Sequence, residues 1–202
     1  MPSEYDPLRP RKLLSAEASD LDKVKSQFAE ASSGYLRSPV PWLAWAIILP
    51  GTALLTPHVA AAVGAGSMAV LFMWSVAILI GGAVEGLAMR GARKKAARSE
   101  ISGWVFRAQG NLSLIAIALT VVVVVNGAFR YIPGIWLLLI GHSFYAVGGL
   151  ASNALRRSGL IYQLGGVISL LPWLDSLTVF AVTTAVANLA VAVALLRARS
   201  TT

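Results

Sequence analysis

The residues of this chain that could do chemistry are the few polar and ionisable groups lying inside long apolar runs. His142 stands in the middle third of the run 132–153, where an imidazole could relay protons, bind a ligand or hydrogen-bond a neighbouring helix. Glu85 is the one acid inside such a run, about a helical turn before Arg90, and could hold a proton or cation or pair with an arginine. Tyr145 and Gln163 place a hydroxyl and a carboxamide in the adjacent runs 132–153 and 159–174. A short turn joins those two runs, so they must be antiparallel neighbours. If the chain builds a polar site, His142, Tyr145 and Gln163 are its first candidates, with Glu85 the fourth.

Several chemistries lack their residues. The chain has no cysteine, which removes disulfides, thiolate nucleophiles and sulfur-ligated metals together. His142 has neither a second histidine nor a carboxylate at helical spacing, so no metal site is expected. Serines and two histidines are present, but no hydrolase triad motif and no glycine-rich nucleotide loop. The expectation is a non-enzymatic protein without a cofactor.

The elements that must position these residues follow from composition. Of 202 residues, 56% are hydrophobic and 13% charged, with a mean hydropathy of +0.70. A soluble domain carries about twice that share of charge, so the main solvent here is lipid. Six apolar stretches can be tested against the roughly 20 residues a bilayer demands. They run over about 41–57, 63–89, 111–129, 132–153, 159–174 and 176–196. The predicted fold is therefore all-α, a six-helix transmembrane bundle spanning 39–197. Residues 1–19 read as a disordered cytoplasmic tail, and 198–202 as a second short one. Amphipathic segments at 20–38 and 91–108 are expected to lie on the cytoplasmic leaflet.

Charge supports this count of spans. Loops rich in Lys and Arg stay in the cytoplasm. With six spans, all of the 17 lysines and arginines except Arg130 fall on one side. Both termini are accordingly expected in the cytoplasm, and the membrane to be a cell (inner) membrane. The net charge of +8 sits beside apolar spans, which favours anionic lipid at the cytoplasmic face over nucleic acid as the partner.

Small residues mark where helices approach closely in lipid. Gly134, Gly141 and Gly148 recur every seventh residue along the fourth stretch, Gly159 and Gly166 repeat the habit in the fifth, and Gly82 and Gly86 form a GxxxG pair in the second. Asp175, in the turn before the last stretch, reads as a helix N-cap. The segment from Tyr131 to Leu171 resembles small bacterial multi-span proteins in composition: an aromatic, a glycine-bearing helix, a basic turn, then a second glycine-rich helix. That resemblance assigns no role to any residue. The expected function is a membrane subunit or accessory protein that packs against a membrane partner or a copy of itself. The alternative is a small transporter or channel using the polar set around His142, Tyr145 and Gln163.

Overall fold

The computed structural model describes residues 22–23, 26, 38–64, 68–88, 90 and 100–200, with the side chains of 100–106 and 150–151 left aside. The helices are α1 (Val40–Val63), α2 (Met68–Ala88), α3 (Glu100–Val125), α4 (Ile132–Ala151), α5 (Asn153–Ser169) and α6 (Ser176–Ser200). A short 3-10 turn, Phe129–Tyr131, leads into α4. No strand occurs among the described residues. Five helices (α1, α2, α3 from Arg107, α4 with its leading turn, and α6) are long and apolar enough to cross a membrane. An α-helix pairs its backbone groups within itself, which is what hydrocarbon requires of a spanning segment, although Pro50 and Pro57 in α1 donate nothing. The chain is a multi-pass helical membrane protein.

The sixth expected span is α5, which has 17 residues and starts and ends several residues before the predicted 159–174. At about 1.5 Å per residue it is roughly 25 Å long. Its buried row is Leu155, Ser158, Gly159, Tyr162, Gly165, Gly166 and Ser169, so much of its surface never meets lipid and need not be apolar. Arg156 and Arg157, expected in a loop, lie in its first two turns. Ser152 alone separates α4 from α5; it is extended, and its side chain accepts from the Ala154 amide at 3.2 Å as the N-cap.

Other boundaries also moved. α1 runs through Pro50 and Pro57 to Val63 instead of stopping at 57, and carries His58 exposed on its last turns. Prolines persist in spanning helices because a broken helix would leave further backbone groups unsatisfied in lipid. α3 is continuous from Glu100, so no break separates the expected interfacial segment 91–108 from the span at 111. The glycines there, Gly103 and Gly110, weaken a helix by about 1 kcal/mol each without ending it. Residues 91–99 lie outside the described residues, as does all of the 20–38 segment except helical Asp22, Lys23 and Ser26 and Ser38, whose hydroxyl accepts from the Val40 amide at 3.3 Å. α3 ends at Gly127, whose φ of 68° suits only glycine well, while the Ala128 amide returns to Val123 O at 2.9 Å.

Packing order around the bundle is α2, α1, α6, α5, α4, α3. One core cluster joins Ala53, Leu137, Tyr162, Phe180, Ala181 and Ala187 from four helices, and a second joins Trp42, Leu155, Val191 and Ala192. Edge-to-face ring pairs link them: Trp42 with Phe144 at 5.6 Å and Phe144 with Tyr162 at 5.5 Å. α2 and α3 stand at the two ends of this order and keep most of their apolar side chains outward. Each is tied to its neighbour by an indole: Trp74 to Thr56 and Trp136 to Thr120, both at 3.0 Å.

Two charged groups organise the turns at one end of the bundle. Arg130 donates to Leu171 O at 2.8 Å and Pro172 O at 3.0 Å, and its guanidinium stacks on Tyr131. It thereby joins the α3–α4 turn to the α5–α6 turn. The Asp175 carboxylate accepts from the Thr178 amide at 2.9 Å, capping α6. The Thr178 hydroxyl and amide hold that carboxyl below its ordinary range. A carboxyl lowered by folding stabilises above its unfolded value and loses that effect as pH falls through the folded one. Asp175→Ala is therefore expected to cost about 1 kcal/mol near neutrality, and the gap to the parent to close in acid. Thermal melts in detergent across pH would show this; an equal gap at every pH would refute the charge-dependent cap.

Candidate functional site

The four candidate residues do not converge on one cavity. Glu85 lies at the α1–α2 seam, where its carboxylate accepts from the Trp45 indole at 3.0 Å. The arrangement follows from Gly81, one turn earlier: a Cβ there would lie 2.3 Å from the Trp45 ring, so only glycine lets the indole lie flat across α2 and reach Glu85. The sequence suggested a proton, a cation or an arginine as its partner. The structure gives a tryptophan from another helix, which the separation of 40 residues concealed.

The other three candidates share the α4–α5 seam. Gly134, Gly141 and Gly148 on α4 face Gly159 and Gly166 on α5 at backbone distance. A Cβ on Gly141 would lie 2.7 Å from the Gln163 amide nitrogen, one on Gly148 2.3 Å from that of Arg156, and one on Gly159 2.4 Å from that of Tyr145. Gln163 is half-buried along this row. Tyr145 accepts from Arg156 at 3.2 Å, with the guanidinium 5.1 Å from its ring centre. His142 is exposed, on the side of α4 turned away from the core. These three groups thus follow the outer edge of the seam. In the α2 pair, a Cβ on Gly82 or Gly86 would meet nothing within 4 Å among the described residues; Gly81 is the α2 glycine that packs against α1.

The buried polar groups lie elsewhere, between α5 and α6. Asn188 donates to the Tyr162 hydroxyl and to Thr184 O, both at 2.8 Å, and all three residues are inaccessible. The Ser169 hydroxyl donates to Ser176 O, and Thr183 fills the space over Gly165. Ser158, also buried, has no partner for its hydroxyl among the described residues. The spacing of Ser158, Tyr162, Gly165 and Ser169 on α5 was the available sign of this seam, since steps of four, three and four keep one helix face. α3 adds one more polar tie, from the Gln109 amide to the Ser143 hydroxyl.

What this arrangement can do is hold helices together. No group of three or more His, Asp or Glu that could hold a metal occurs among the described residues. Asn188 and Tyr162 bond each other across the α5–α6 seam, Thr184 and Ser169 bond backbone carbonyls, and Thr183 closes the seam over Gly165. The basic residues Arg156, Arg157, Arg197 and Arg199 gather at the end of the bundle opposite Arg130. Comparison of the chain with protein-family models, curated proteins and solved structures yields no match.

Proposed function

We propose that the chain is a non-enzymatic multi-span membrane subunit or accessory protein that acts by packing its helices against a membrane partner or a second copy of itself. One observation carries this reading: Gly82 and Gly86 form a GxxxG pair at which a Cβ would meet nothing within 4 Å among the described residues. In lipid such a pair stabilises close helix–helix contact, and an internal partner is missing here. α5 completes a sixth span, shielded by α4 and α6. Both termini then lie in the cytoplasm of a bacterial cell, on the inner membrane, and the basic end meets anionic headgroups.

Purification from the native membrane in nanodiscs, with mass determination, tests this reading. The parent is expected to retain a stoichiometric protein partner. The pair Gly82→Leu and Gly86→Leu is expected to lose that partner while the chain itself stays folded, because both positions have room. Full retention by that variant would sink the proposal. A second reading, a small transporter or channel, has one observation in its favour: His142, Tyr145 and Gln163 follow a single seam. Solute flux in liposomes that His142→Ala abolishes would favour it.

A further inference from the structure

We infer that two copies of this chain pair along the outer edge of the α4–α5 seam, the His142 imidazole of each meeting the Gln163 carboxamide of the other. The inference rests on the packing-subunit reading above and names the partner for this face.

His142 is the eleventh of the 20 residues of α4, so it lies about 15 Å from either end, at the depth where lipid is driest. It is nevertheless exposed, and its imidazole makes no hydrogen bond to a described residue. Gln163 is at the same depth, because its backbone nitrogen touches the space above Gly141, the residue next to His142. The inner edge of the seam is closed by Tyr162 against Phe144, so the exposed part of Gln163 lies along the outer edge. The Gln163 carboxamide also has no hydrogen-bond partner among the described residues. Facing hydrocarbon, both groups would forgo every hydrogen bond they can make.

A second copy supplies what lipid does not. Neutral imidazole and carboxamide each carry a donor and an acceptor, so either can bond the other. Copies related by a two-fold axis along the membrane normal meet at equal depth. A contact between His142 and Gln163 is then made twice and satisfies four groups. The surface also admits a close neighbour. Ala146 and Gly149 are exposed one and two turns beyond His142, and a Cβ on Gly149 would meet nothing within 4 Å among the described residues. Arg156 stands about 10 Å nearer the basic end and is already engaged by Tyr145, so it brings no unpaired charge to the paired region. A different protein would need its own polar group at that depth on a matching face, and this chain already carries one.

The absence of cysteine makes the test direct. In native membranes under mild oxidation, Ala146→Cys is expected to give covalent dimers at least about tenfold faster than Leu189→Cys, an exposed position on α6. In the Ala146→Cys background, His142→Leu is expected to cut the dimer yield severalfold, and His142→Gln to retain it. His142 lies exposed on the outer face of α4, so both variants remain folded, which their elution profile in detergent would show. Equal rates at Ala146 and Leu189, no effect of His142→Leu, or an adduct of Ala146→Cys with a foreign protein would each overturn the pairing. If the pairing fails while the Gly82/Gly86 double variant still loses a partner, the error lies in the second copy and the subunit reading stands. Cross-linked dimers together with an inert α2 double variant would uphold the pairing and remove the α2 face as the docking surface.

Discussion

Gly148→Leu and Gly141→Leu are expected to leave no stably folded chain, and Gly148→Ala alone to cost about 2 kcal/mol. The atom that a Cβ at Gly148 would meet is the backbone nitrogen of Arg156 at 2.3 Å, with the Arg156 Cα at 2.7 Å. Neither can rotate aside, so α4 and α5 would have to move apart along their length. Overpacking of this kind costs up to about 3 kcal/mol, and alanine recovers roughly 1 kcal/mol of helix propensity over glycine. A branched four-carbon side chain recovers little and demands far more room. The contrast lies on α2. Gly82→Ala and Gly86→Ala meet open space and are expected to be neutral or stabilising by up to about 1 kcal/mol in the isolated chain. Unfolding in detergent followed by tryptophan fluorescence would rank the variants. Equal tolerance at Gly148 and Gly82 would mean that α4 and α5 do not touch as described.

Tyr162→Ala is expected to destabilise by about 4 kcal/mol and Tyr162→Phe by about 1 kcal/mol. The difference separates what the ring does from what the hydroxyl does. The ring is only 2% exposed, fills the centre of the core and meets Phe144 edge to face, so truncation empties a large volume that four helices share. The hydroxyl accepts one bond from Asn188, whose amide also bonds Thr184 O. Tyr162→Phe therefore leaves Asn188 with one of two partners, and hydrogen bonds between membrane helices are worth around 1 kcal/mol. The same unfolding measurement decides it. A large loss in Tyr162→Phe would mean that the hydroxyl, and not the ring, holds the bundle.

Much of the fold was legible because hydropathy and charge are local properties of sequence. α4 begins at Ile132 and α6 at Ser176, where the apolar stretches begin, and Asp175 caps α6. The stripe Gly134, Gly141, Gly148 was legible as a packing face because a seven-residue repeat keeps one side of a helix. The candidate site was not legible, for a physical reason. Periodicity tells which residues share a face, but not what that face meets. His142 and Gly141 are neighbours in sequence, yet one points outward and the other is buried against α5. Glu85 finds its partner 40 residues away, and Tyr162 finds Asn188 26 residues away. α3 began earlier than expected because nothing between Glu100 and Asn111 stops a helix, although its charge had suggested a separate segment.

The packing order also has a consequence for how the chain is made. α4 and α5 are joined by one residue and can close on each other as soon as both have left the ribosome. α1 faces a long wait, because its main companion is α6, more than 100 residues later in the chain. Until α6 arrives, α1 can lie against α2 and, through Trp42, against the Phe144 ring of α4, but it lacks its main companion. The first helix made is thus among the last to find its place, and a nascent chain cut short before α6 would present to quality-control proteases a hairpin, α4–α5, already assembled beside an α1 still unclaimed.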